Sequence, residues 1–303
     1  MNNNNDFEVI IIGGSYAGLS AAMALGRSLR RVLIIDSGLP CNRQTPYSHN
    51  FITQDGATPF AIAQKAKEQV LNYSTVIFLN GLVTKTRKNE GGFTIKTQAG
   101  EEFKSRKLIL ATGVKDVMPA IKGFYECWGI SVVHCPYCHG YEFRNKKTGI
   151  MANGERAFHL ASLVNNLTND IQIFTSGKPD FSTEQITKLN NQKIKIIETS
   201  ISEIEHENGS LKSIVLNNGH KEVFNVLYAA IPFQHTSDIS LSLGCEFTEM
   251  GHVKVDMFQK TTVNDVFACG DNSSMMRSVA YAVSTGNITG AMVNKELTEA
   301  DFN

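Results

Sequence analysis

The sequence lacks an excess of charge of either sign and lacks any long apolar run. Its 29 basic and 29 acidic residues give a formal net charge of +0, so neither nucleic acid nor an acidic membrane surface is expected as a partner. No apolar run reaches the roughly 20 residues that a membrane-spanning helix needs. Residues 1–6 are polar and lack the basic start and apolar stretch of a signal peptide, so we expect a short frayed tail there. We therefore expect a soluble, cytoplasmic protein.

Cysteine is also scarce, and only one pair is closely spaced. Of the six cysteines, Cys135 and Cys138 form a C-x-x-C motif and the others are dispersed. In a reducing cytosol no structural disulfide framework is expected. We therefore expect the dispersed cysteines to be buried thiols; they are Cys41, Cys127, Cys245 and Cys269.

The chain begins with the pattern of a dinucleotide-binding unit. The continuous apolar run 7–12 is typical of a buried parallel strand. A glycine-rich turn at 13–18 and a helical stretch rich in Ala and Leu follow, and the apolar run 31–36 ends in an acid. The order strand, glycine turn, helix, strand and acid predicts a βαβ unit of the dinucleotide-binding type.

The glycine turn matches the G-x-G-x-x-G fingerprint with one departure. Gly13 and Gly18 hold the outer positions, and Ser15 replaces the middle glycine. Small residues let the backbone approach a pyrophosphate, and the helix N-terminus supplies N–H donors. Asp36 stands near the spacing of the acid that binds a ribose hydroxyl. The alternative is a Rossmann unit that binds no nucleotide.

The middle of the chain repeats this pattern more weakly. A strand at 147–152, a turn at 153–157 and a helix at 158–167 are followed by a strand at 171–175. We therefore expect a second Rossmann-like unit in this region.

The predicted fold class is α/β, with two Rossmann-like nucleotide-binding domains. Strands at 107–112 and 266–269 are expected to return to the first sheet. The first domain would then be discontinuous, with residues 1–115 and 243–303. The second domain, residues 116–242, would be inserted into it and would carry the cysteine pair. No low-complexity linker marks the crossings, which suits two short connecting strands.

The C-x-x-C motif carries the sharpest chemical signal. Sulfurs at this spacing can close a small disulfide ring, so an attacking thiolate and a resolving thiol can alternate. Cys135-x-x-Cys138-His139 also matches the c-type haem attachment pattern, but no exporting signal or haem pocket is visible. Zinc would need two more ligands, and no second pair stands at a suitable spacing, although His134 and His139 flank the site. Two buried structural thiols are the remaining alternative.

Four motifs together resemble the low-molecular-weight thioredoxin reductase family, and the resemblance covers nearly the whole chain. In order they are Gly13-x-Ser15-x-x-Gly18, Ala111-Thr112-Gly113, Cys135-x-x-Cys138 and Gly270-Asp271. Four further segments resemble the branch that includes the dithiol oxidases of gliotoxin and holomycin biosynthesis. These segments are residues 134–142, Asn42-Arg43, His49-Asn50-Phe51 and Asp55-Gly56.

The resemblance implies a homodimeric oxidoreductase acting on sulfur groups, with FAD bound tightly but not covalently. Residues 111–113 would close over the FAD, Asp271 would bind its ribityl chain, and residues 277–279 would lie near the isoalloxazine at a helix start. His49 is expected near the flavin, with a surface or core histidine as the alternative. The expected cofactor-binding residues are Gly13, Ser15, Gly18, Asp36, Asn42, Arg43, His49, Asn50, Val83, Ala111, Thr112, Gly113, Gly270, Asp271, Arg277, Ser278 and Val279.

The resemblance also implies roles for the cysteine pair and its neighbours. Cys138 would face the flavin, and Cys135 would attack the substrate. The typical reductase carries an aspartate after the second cysteine as its proton donor, and here that position is His139. Histidine titrates near pH ~6.5, so it can both take and give a proton. His134 is the rival candidate for this role.

The second glycine turn departs from the family pattern. A nicotinamide-binding turn reads G-x-G-x-x-A, but Ala152 replaces the first glycine, and Glu155 would place negative charge beside a pyrophosphate. After the strand at 171–174 there is no arginine pair for a 2′-phosphate and no acid for a ribose. NADPH could still bind through backbone and Lys178, but we favour loss of the nucleotide.

We therefore predict two-electron exchange between a dithiol or disulfide substrate, the cysteine pair and FAD. In one direction NADPH would reduce FAD, and electrons would leave to a thioredoxin-like protein. In the other a small dithiol would be oxidised, and oxygen or another acceptor would reoxidise the flavin. A flavin-bearing redox sensor without catalysis is the third hypothesis.

Overall fold

A computed structural model of the chain describes residues 5–302. Residues 1–4 of the expected frayed tail lie outside the described residues. The tail prediction is wrong at its end, because Asp6 already belongs to the first strand and pairs with Lys104. The neighbouring Asn5 Nδ2 donates a hydrogen bond to the Glu102 carbonyl oxygen at 3.0 Å.

Strands and helices alternate along most of the chain. The first part contains β1 (Asp6–Ile12), α1 (Tyr16–Arg27), β2 (Val32–Asp36), α2 (Pro59–Leu71), β3 (Val76–Asn80), β4 (Val83–Asn89), β5 (Gly92–Thr97), β6 (Glu102–Leu110) and β7 (Val114–Asp116). The middle contains α3 (Phe124–Cys127), β8 (Val132–Val133), α4 (Pro136–His139), β9 (Thr148–Met151), α5 (Gly154–Val164), β10 (Ile171–Phe174), α6 (Thr183–Asn191), β11 (Lys195–Ile197), β12 (Ile201–Glu207), β13 (Ser210–Leu216), β14 (Lys221–Val223), β15 (Val226–Ala229) and β16 (Phe233–His235). The last part contains α7 (Ile239–Ser242), β17 (Val266–Ala268) and α8 (Val279–Asp301). None of the helices between residues 5 and 302 combines the length and apolarity that a membrane crossing requires.

The described chain divides into two compact units. The first unit contains residues 5–43, 59–115 and 234–302, and the second contains residues 44–58 and 116–233. The second connection therefore falls before residue 234, and the segment 44–58 groups with the second unit. The two connecting strands, β7 and β16, pair with each other.

The first unit is built on a parallel sheet in the order β3-β2-β1-β6-β17. The antiparallel strands β5 and β4 extend it from the first half of β6. Ile12 pairs with Ile35 on one side and with Leu110 on the other, and Leu110 pairs with Ala268. The carboxyl ends of four strands therefore meet at one edge of the sheet, where ligands of open α/β sheets bind.

Helices α1 and α8 pack with backbone in contact behind this edge. A Cβ atom built on Gly286 would lie 2.1 Å from the Ala17 carbonyl oxygen, so only glycine fits there. Thr285 on α8 accepts a hydrogen bond from the Gly270 N–H at 3.1 Å. Helix α8 therefore supports both the start of α1 and the loop after β17.

The second unit has a parallel sheet in the order β11-β10-β9-β15-β8 and a separate antiparallel sheet of β12, β13 and β14. One core cluster contains Phe124, Trp128 and Phe174. Another joins the sheet to α5 and contains Ile150 and Ala157. The predicted α/β fold class with two Rossmann-like units is confirmed.

Candidate active site

The glycine turn after β1 is too tightly packed for side chains. A Cβ atom on Gly13, whose φ is +106°, would lie 2.2 Å from the Ala111 carbonyl oxygen, and one on Gly18 would lie 1.9 Å from the Gly13 carbonyl oxygen. Ser15 is the N-cap of α1, but its hydroxyl makes no capping hydrogen bond, and the first turn of α1 carries no acidic residue. The N-terminus of α1 is therefore suited to an anion such as a pyrophosphate.

Asp36, at the end of β2, organises two turns with its carboxylate. Its Oδ1 accepts a hydrogen bond from the Gly14 N–H at 2.8 Å, and its Oδ2 accepts one from the Gly38 N–H at 3.0 Å. A carboxylate has about four acceptor positions, so Asp36 retains capacity for a ribose hydroxyl.

The residues after β2 join the start of α1 through Tyr16. Asn42 Nδ2 donates to the Tyr16 hydroxyl at 3.3 Å, and that hydroxyl donates to the Pro59 carbonyl oxygen at 3.1 Å. Burial raises the pKa of Tyr16, so its hydroxyl stays protonated. Arg43 is exposed, and its guanidinium donates to the Pro40 carbonyl oxygen at 3.1 Å.

The loop after β6 lies against the loop after β17. The Ala111 N–H donates to the Ile12 carbonyl oxygen at 2.8 Å, which fixes the end of β6 beside the glycine turn. Thr112 Oγ1 lies 3.3 Å from Asn272 Nδ2, which donates to it. Gly113 has a φ of +64° and faces open space.

Asp271 lies between a cysteine and an arginine. Its Oδ2 is 3.6 Å from the Cys41 Sγ and 3.5 Å from the Arg277 Nε. The adjacent Asn272 donates to the Leu110 carbonyl oxygen at 2.9 Å, and its buried Oδ1 has no hydrogen-bond partner within residues 5–302. The loop is thus tied to β6 and carries a buried acceptor.

Residues 277–279 lie at the start of α8. Ser278 is the N-cap and accepts a hydrogen bond from the Tyr281 N–H at 3.2 Å, and Val279 is the first helical residue. The first unit thus gathers the segments around Gly13, Asp36 and Asp271 at the carboxyl ends of its parallel strands.

Three predicted cofactor residues do not belong to these segments of the first unit. Val83 is the first residue of β4, and its side chain is buried in the core of the first unit. His49 and Asn50 belong to the second unit, where His49 Nε2 lies 3.6 Å from Glu142 Oε1. The structure therefore groups these two residues with the cysteine segment.

Cys135 and Cys138 form a disulfide with their Cα atoms 5.3 Å apart. Cys135 is the N-cap of α4, and its Sγ accepts a hydrogen bond from the Cys138 N–H at 3.2 Å. An N–H donor favours the thiolate over the thiol, so this contact stabilises a Cys135 thiolate once the pair is reduced. A Cβ atom on Gly140 would lie 2.3 Å from the Pro136 carbonyl oxygen, so glycine is required where α4 ends.

His139 is the last residue of α4 and is partly buried. Burial lowers its pKa most strongly, the charge of Glu142 raises it, and that of His49 lowers it. The net effect is a pKa below the ordinary value of 6.5, so His139 is neutral near pH ~7 and can accept a proton.

His134 has different surroundings. Its ring stacks on Trp128, with the ring centroids 6.0 Å apart, and the Trp128 indole donates to Asp116 Oδ2 at 3.2 Å. His134 directly precedes the cysteine pair in the sequence, and this packing on Trp128 is typical of a structural residue.

The dispersed cysteines differ in burial. Cys127, Cys245 and Cys269 are buried as expected, whereas Cys41 is only partly buried. Burial raises the pKa of all three buried thiols, that of Cys269 to about 12. These three thiols therefore stay protonated and unreactive.

A profile of the pyridine nucleotide-disulphide oxidoreductases matches residues 7–286. The chain belongs to this family. A curated relative, thioredoxin reductase tcpT of Claviceps purpurea, is 33% identical over 100% of this chain and 98% of its own. The crystal structure of an oxidoreductase from Agrobacterium tumefaciens is 36% identical with a TM-score of 0.90, covering 97% of this chain and 99% of its own. The structure of HlmI is 26% identical with a TM-score of 0.92, covering 100% of this chain and 96% of its own.

These matches confirm the family predicted from the motifs, including the branch that it resembles. The protein is a thioredoxin reductase-like oxidoreductase of the pyridine nucleotide-disulphide oxidoreductase family, which acts on sulfur groups. The family implies a flavin cofactor. The glycine cradle of Gly13 and Gly18, the uncapped start of α1 and the buried acceptor of Asn272 fit such a dinucleotide.

The turn between β9 and α5, which corresponds to the family's second nucleotide turn, is hydrogen-bonded to the segment 178–180. Asn153 Oδ1 accepts hydrogen bonds from the N–H groups of Gly154 and Asp180 at 2.8 and 2.9 Å. Asn153 Nδ2 donates to the Lys178 carbonyl oxygen at 2.9 Å. The segment 178–180 is thereby tied across the N-terminus of α5.

Two carboxylates also lie at this turn. A Cβ atom on Gly154 would lie 3.4 Å from Asp180 Oδ2, so that carboxylate is next to the turn. Glu155 is in the first turn of α5, and its Oε2 accepts a hydrogen bond from Gln185 Nε2 at 2.6 Å. The Asn153 side chain therefore caps the Gly154 N–H, and two carboxylates bring negative charge to this turn, which disfavours a pyrophosphate.

Sequence reasoning missed several residues of these sites. Tyr16 and Asn272 act through hydrogen bonds to distant loops, and no motif marks them. Asp180 lies 26 positions beyond Gly154, in a loop without a recognisable pattern. Glu142 was included in the segment that resembles the branch, and its charge beside a histidine is the signal that could have identified it.

Proposed function

We propose that this protein is an FAD-dependent dithiol oxidase that does not use NADPH. It exchanges two electrons between a small dithiol substrate, the Cys135–Cys138 pair and FAD. The second turn carries this proposal, because Asn153 caps the Gly154 N–H and the carboxylates of Asp180 and Glu155 place negative charge where a dinucleotide pyrophosphate would bind at α5. The electrons must then enter from the dithiol.

The cysteine pair performs the sulfur chemistry. A substrate thiolate attacks Cys135 Sγ in the disulfide, which forms a mixed disulfide and releases the Cys138 thiolate. The second substrate thiolate then attacks the substrate sulfur that is bonded to Cys135 Sγ. This step closes the substrate disulfide and releases the Cys135 thiolate. The N–H of Cys138 stabilises that thiolate. His139, neutral near pH ~7, takes up a thiol proton.

The first unit holds the cofactor in this proposal. The turn from Gly13 to Gly18 and the start of α1 receive the pyrophosphate, Asp36 a ribose, and Asp271 the ribityl chain. FAD supplies, when bound, a two-electron acceptor for the reduced pair that can pass the electrons to dioxygen. The overall reaction converts one dithiol and one dioxygen into one disulfide and one hydrogen peroxide.

A small organic substrate suits the surface beside the pair. The side chains of Tyr137 and Tyr141 are 69% and 68% exposed next to the disulfide. Arg144 lies over the Tyr141 ring at 4.1 Å, which fixes one of these rings. Exposed aromatic rings bury apolar area on binding, so they favour a small dithiol with an apolar body.

Anaerobic mixing of the purified protein with NADPH, NADH or dithiothreitol tests the proposal through the flavin absorbance. We expect dithiothreitol to reduce the flavin at least tens of times faster than either nucleotide. The chain lacks the arginine pair that would contact the 2′-phosphate of NADPH. Losing two such charge-assisted contacts, each worth about 1.5–3 kcal/mol, weakens nucleotide binding by about a hundredfold or more. The Cys138→Ser variant is the control and should lose reduction by the dithiol.

Fast, saturable reduction by micromolar NADPH would instead identify a thioredoxin-disulfide reductase, the activity named for relatives such as tcpT. Slow reduction of the flavin by every dithiol and every nucleotide would instead favour the hypothesis of a redox sensor without catalysis. With oxygen present, the oxidase should form one hydrogen peroxide for each dithiol oxidised, and an unequal ratio would contradict it.

A further inference from the structure

A cleft of about 490 Å³ lies within the first unit, between β4 and α7. Residues 83–88 of β4 line one wall, and residues of the segment 237–243 line the other. In the described chain β4 is the edge strand of its sheet, so residues from both of its faces reach the cleft. Sites that bind small molecules have volumes of roughly 300–1,000 Å³. The cleft is therefore large enough for a compact organic ligand.

The inner part of the cleft is apolar. A register shift between Val83 and Lys85 places Val83 and Thr86 on the same buried face of β4. On the opposite wall Ile239 is buried and Leu243 is partly buried. Val83 and Ile239 belong to one core cluster, and Leu243 packs against it, so this apolar surface has a fixed shape. A ligand with an apolar body can bury area against it.

The outer part of the cleft carries uncompensated positive charge. Lys85 and Arg87 are alternate residues of β4, so their side chains lie on one face of the strand. Lys85 is directly opposite Lys96 on β5, and like charges in this position repel each other. Lys96 is compensated by Glu102, whose Oε1 lies 3.4 Å from the Lys96 Nζ. Neither Lys85 nor Arg87 forms an ion pair within residues 5–302, so an anion in the cleft would reduce the repulsion on this face.

The other polar groups of the cleft also favour an anion. Lys88 adds a third cation, although its Nζ already donates to the Asn264 carbonyl oxygen at 2.7 Å. Asp238 is the single carboxylate among the lining residues, so positive charge prevails. The Thr86 side chain is only 8% exposed, and its Oγ1 has no hydrogen-bond partner in the described part of the chain. A hydroxyl at this position can donate to a carboxylate oxygen.

The cleft is separate from the edge of the sheet where FAD is proposed to bind. Thr86 pairs with Ile95, and Ile95 pairs with Phe103. Phe103 precedes Leu110, the last residue of β6, by seven residues. At a rise of about 3.3 Å per residue, the middle of the cleft is roughly 20 Å from the carboxyl end of that strand. A ligand in the cleft would therefore leave the flavin environment unchanged.

We propose that the cleft between β4 and α7 is a second binding site, which takes a small organic carboxylate with an apolar body. Lys85 and Arg87 hold the carboxylate, and the apolar body lies against Val83, Ile239 and Leu243. This site is distinct from the dithiol chemistry of the cysteine pair and does not depend on it.

Isothermal titration calorimetry of the FAD-loaded protein tests the site with two probes of the same shape. Benzoate carries the charge and the apolar ring, whereas benzamide is its neutral counterpart. The variants are Lys85→Gln, Arg87→Gln and the combination of both. Lys96→Gln is the matched control, because Lys96 lies on the neighbouring strand, does not line the cleft and is already paired with Glu102. The flavin spectrum and the melting temperature verify folding of each variant.

We expect saturable binding of benzoate, with benzamide at least about tenfold weaker. Each single variant should lower the benzoate affinity about threefold to fivefold, and the combined variant about tenfold or more, because both cations contact the carboxylate. The Lys96→Gln control should bind as the unmodified protein does, and the flavin spectrum should not change on binding. Absence of saturable benzoate binding, an unchanged affinity in the combined variant, or a benzoate-induced change in the flavin spectrum would overturn the proposed site.

Discussion

At the scale of single residues, the main chemical difference from the typical reductase is the histidine, His139, that follows the second cysteine. An aspartate at this position stays ionised over most of the working range, whereas burial gives His139 a pKa below the ordinary histidine value. The neutral form therefore persists to lower pH than in a free histidine. In the proposed reaction, a histidine with such a lowered pKa would accept a thiol proton near neutrality and release it again before the next dithiol is oxidised.

The pH dependence of dithiol oxidation should report His139. Because the base form is lost as pH falls through a lowered pKa, the rate should decline only below about pH 6.5, the ordinary value. His139→Ala should reduce its flavin with dithiothreitol at least tens of times more slowly near pH ~7. The deficit should shrink at alkaline pH, where free thiols ionise unaided.

His134→Ala provides the comparison, since its ring stacks on Trp128 and should mainly affect stability. Stopped-flow absorbance over the pH range gives the rates. A slow His134→Ala variant together with a normal His139→Ala variant would transfer the acid–base role to His134.

At the scale of elements, the two nucleotide-type turns share a pattern but differ in how they are completed. The first turn leaves the start of α1 uncapped, while Asn153 caps α5 and ties a second loop across it. The sequence indicates part of this difference, since Ala152 replaces the first glycine of the family pattern and Glu155, three positions later, adds negative charge to the turn. The position of Asp180 depends on a loop from the following strand, so only the folded chain reveals it.

The Gly18→Ala substitution should weaken FAD binding without unfolding the first unit. The added methyl group would lie 1.9 Å from the Gly13 carbonyl oxygen, so the turn or α1 must shift. We expect FAD affinity to fall about tenfold or more, because the N–H donors move away from the pyrophosphate. Titration of the apoprotein with FAD, followed by fluorescence, measures the loss.

Gly81→Ala is the matched control in the same unit. Its added methyl group would have only ordinary contacts, 3.8 Å from Ile35 Cγ2 and 3.9 Å from Leu79 Cγ. FAD affinity should be unchanged in this variant. Equal losses in both variants would show that the unit tolerates no added methyl group and would remove the argument for a pyrophosphate cradle.

At the scale of the whole molecule, motif order predicted the architecture well because each motif is local. The strand–turn–helix signals at Gly13 and Gly154 lie within short windows, and the insertion follows from their order. The segment 44–58 was harder to assign. It lies between elements of the first sheet in sequence, but its contacts group it with the second unit. Contacts between distant loops, such as His49 with Glu142, leave no periodic pattern in a sequence.

Removal of FAD should affect the two units unequally. Apart from His49 and Asn50, the residues expected to bind FAD belong to the first unit, so the ligand stabilises that unit directly. A ligand present at about 100 times its Kd raises the free energy of unfolding of the unit that binds it by about 2.7 kcal/mol. For a unit of this size, that corresponds to a shift of about 5–10 °C in melting temperature. Calorimetry of the FAD-free protein should show a lower transition temperature for the first unit.

The Cys135–Cys138 disulfide belongs to the second unit, so dithiothreitol should still reduce it to two thiols per chain in the FAD-free protein. Equal loss of both transitions and loss of disulfide reactivity would show instead that the second unit depends on FAD for its own fold.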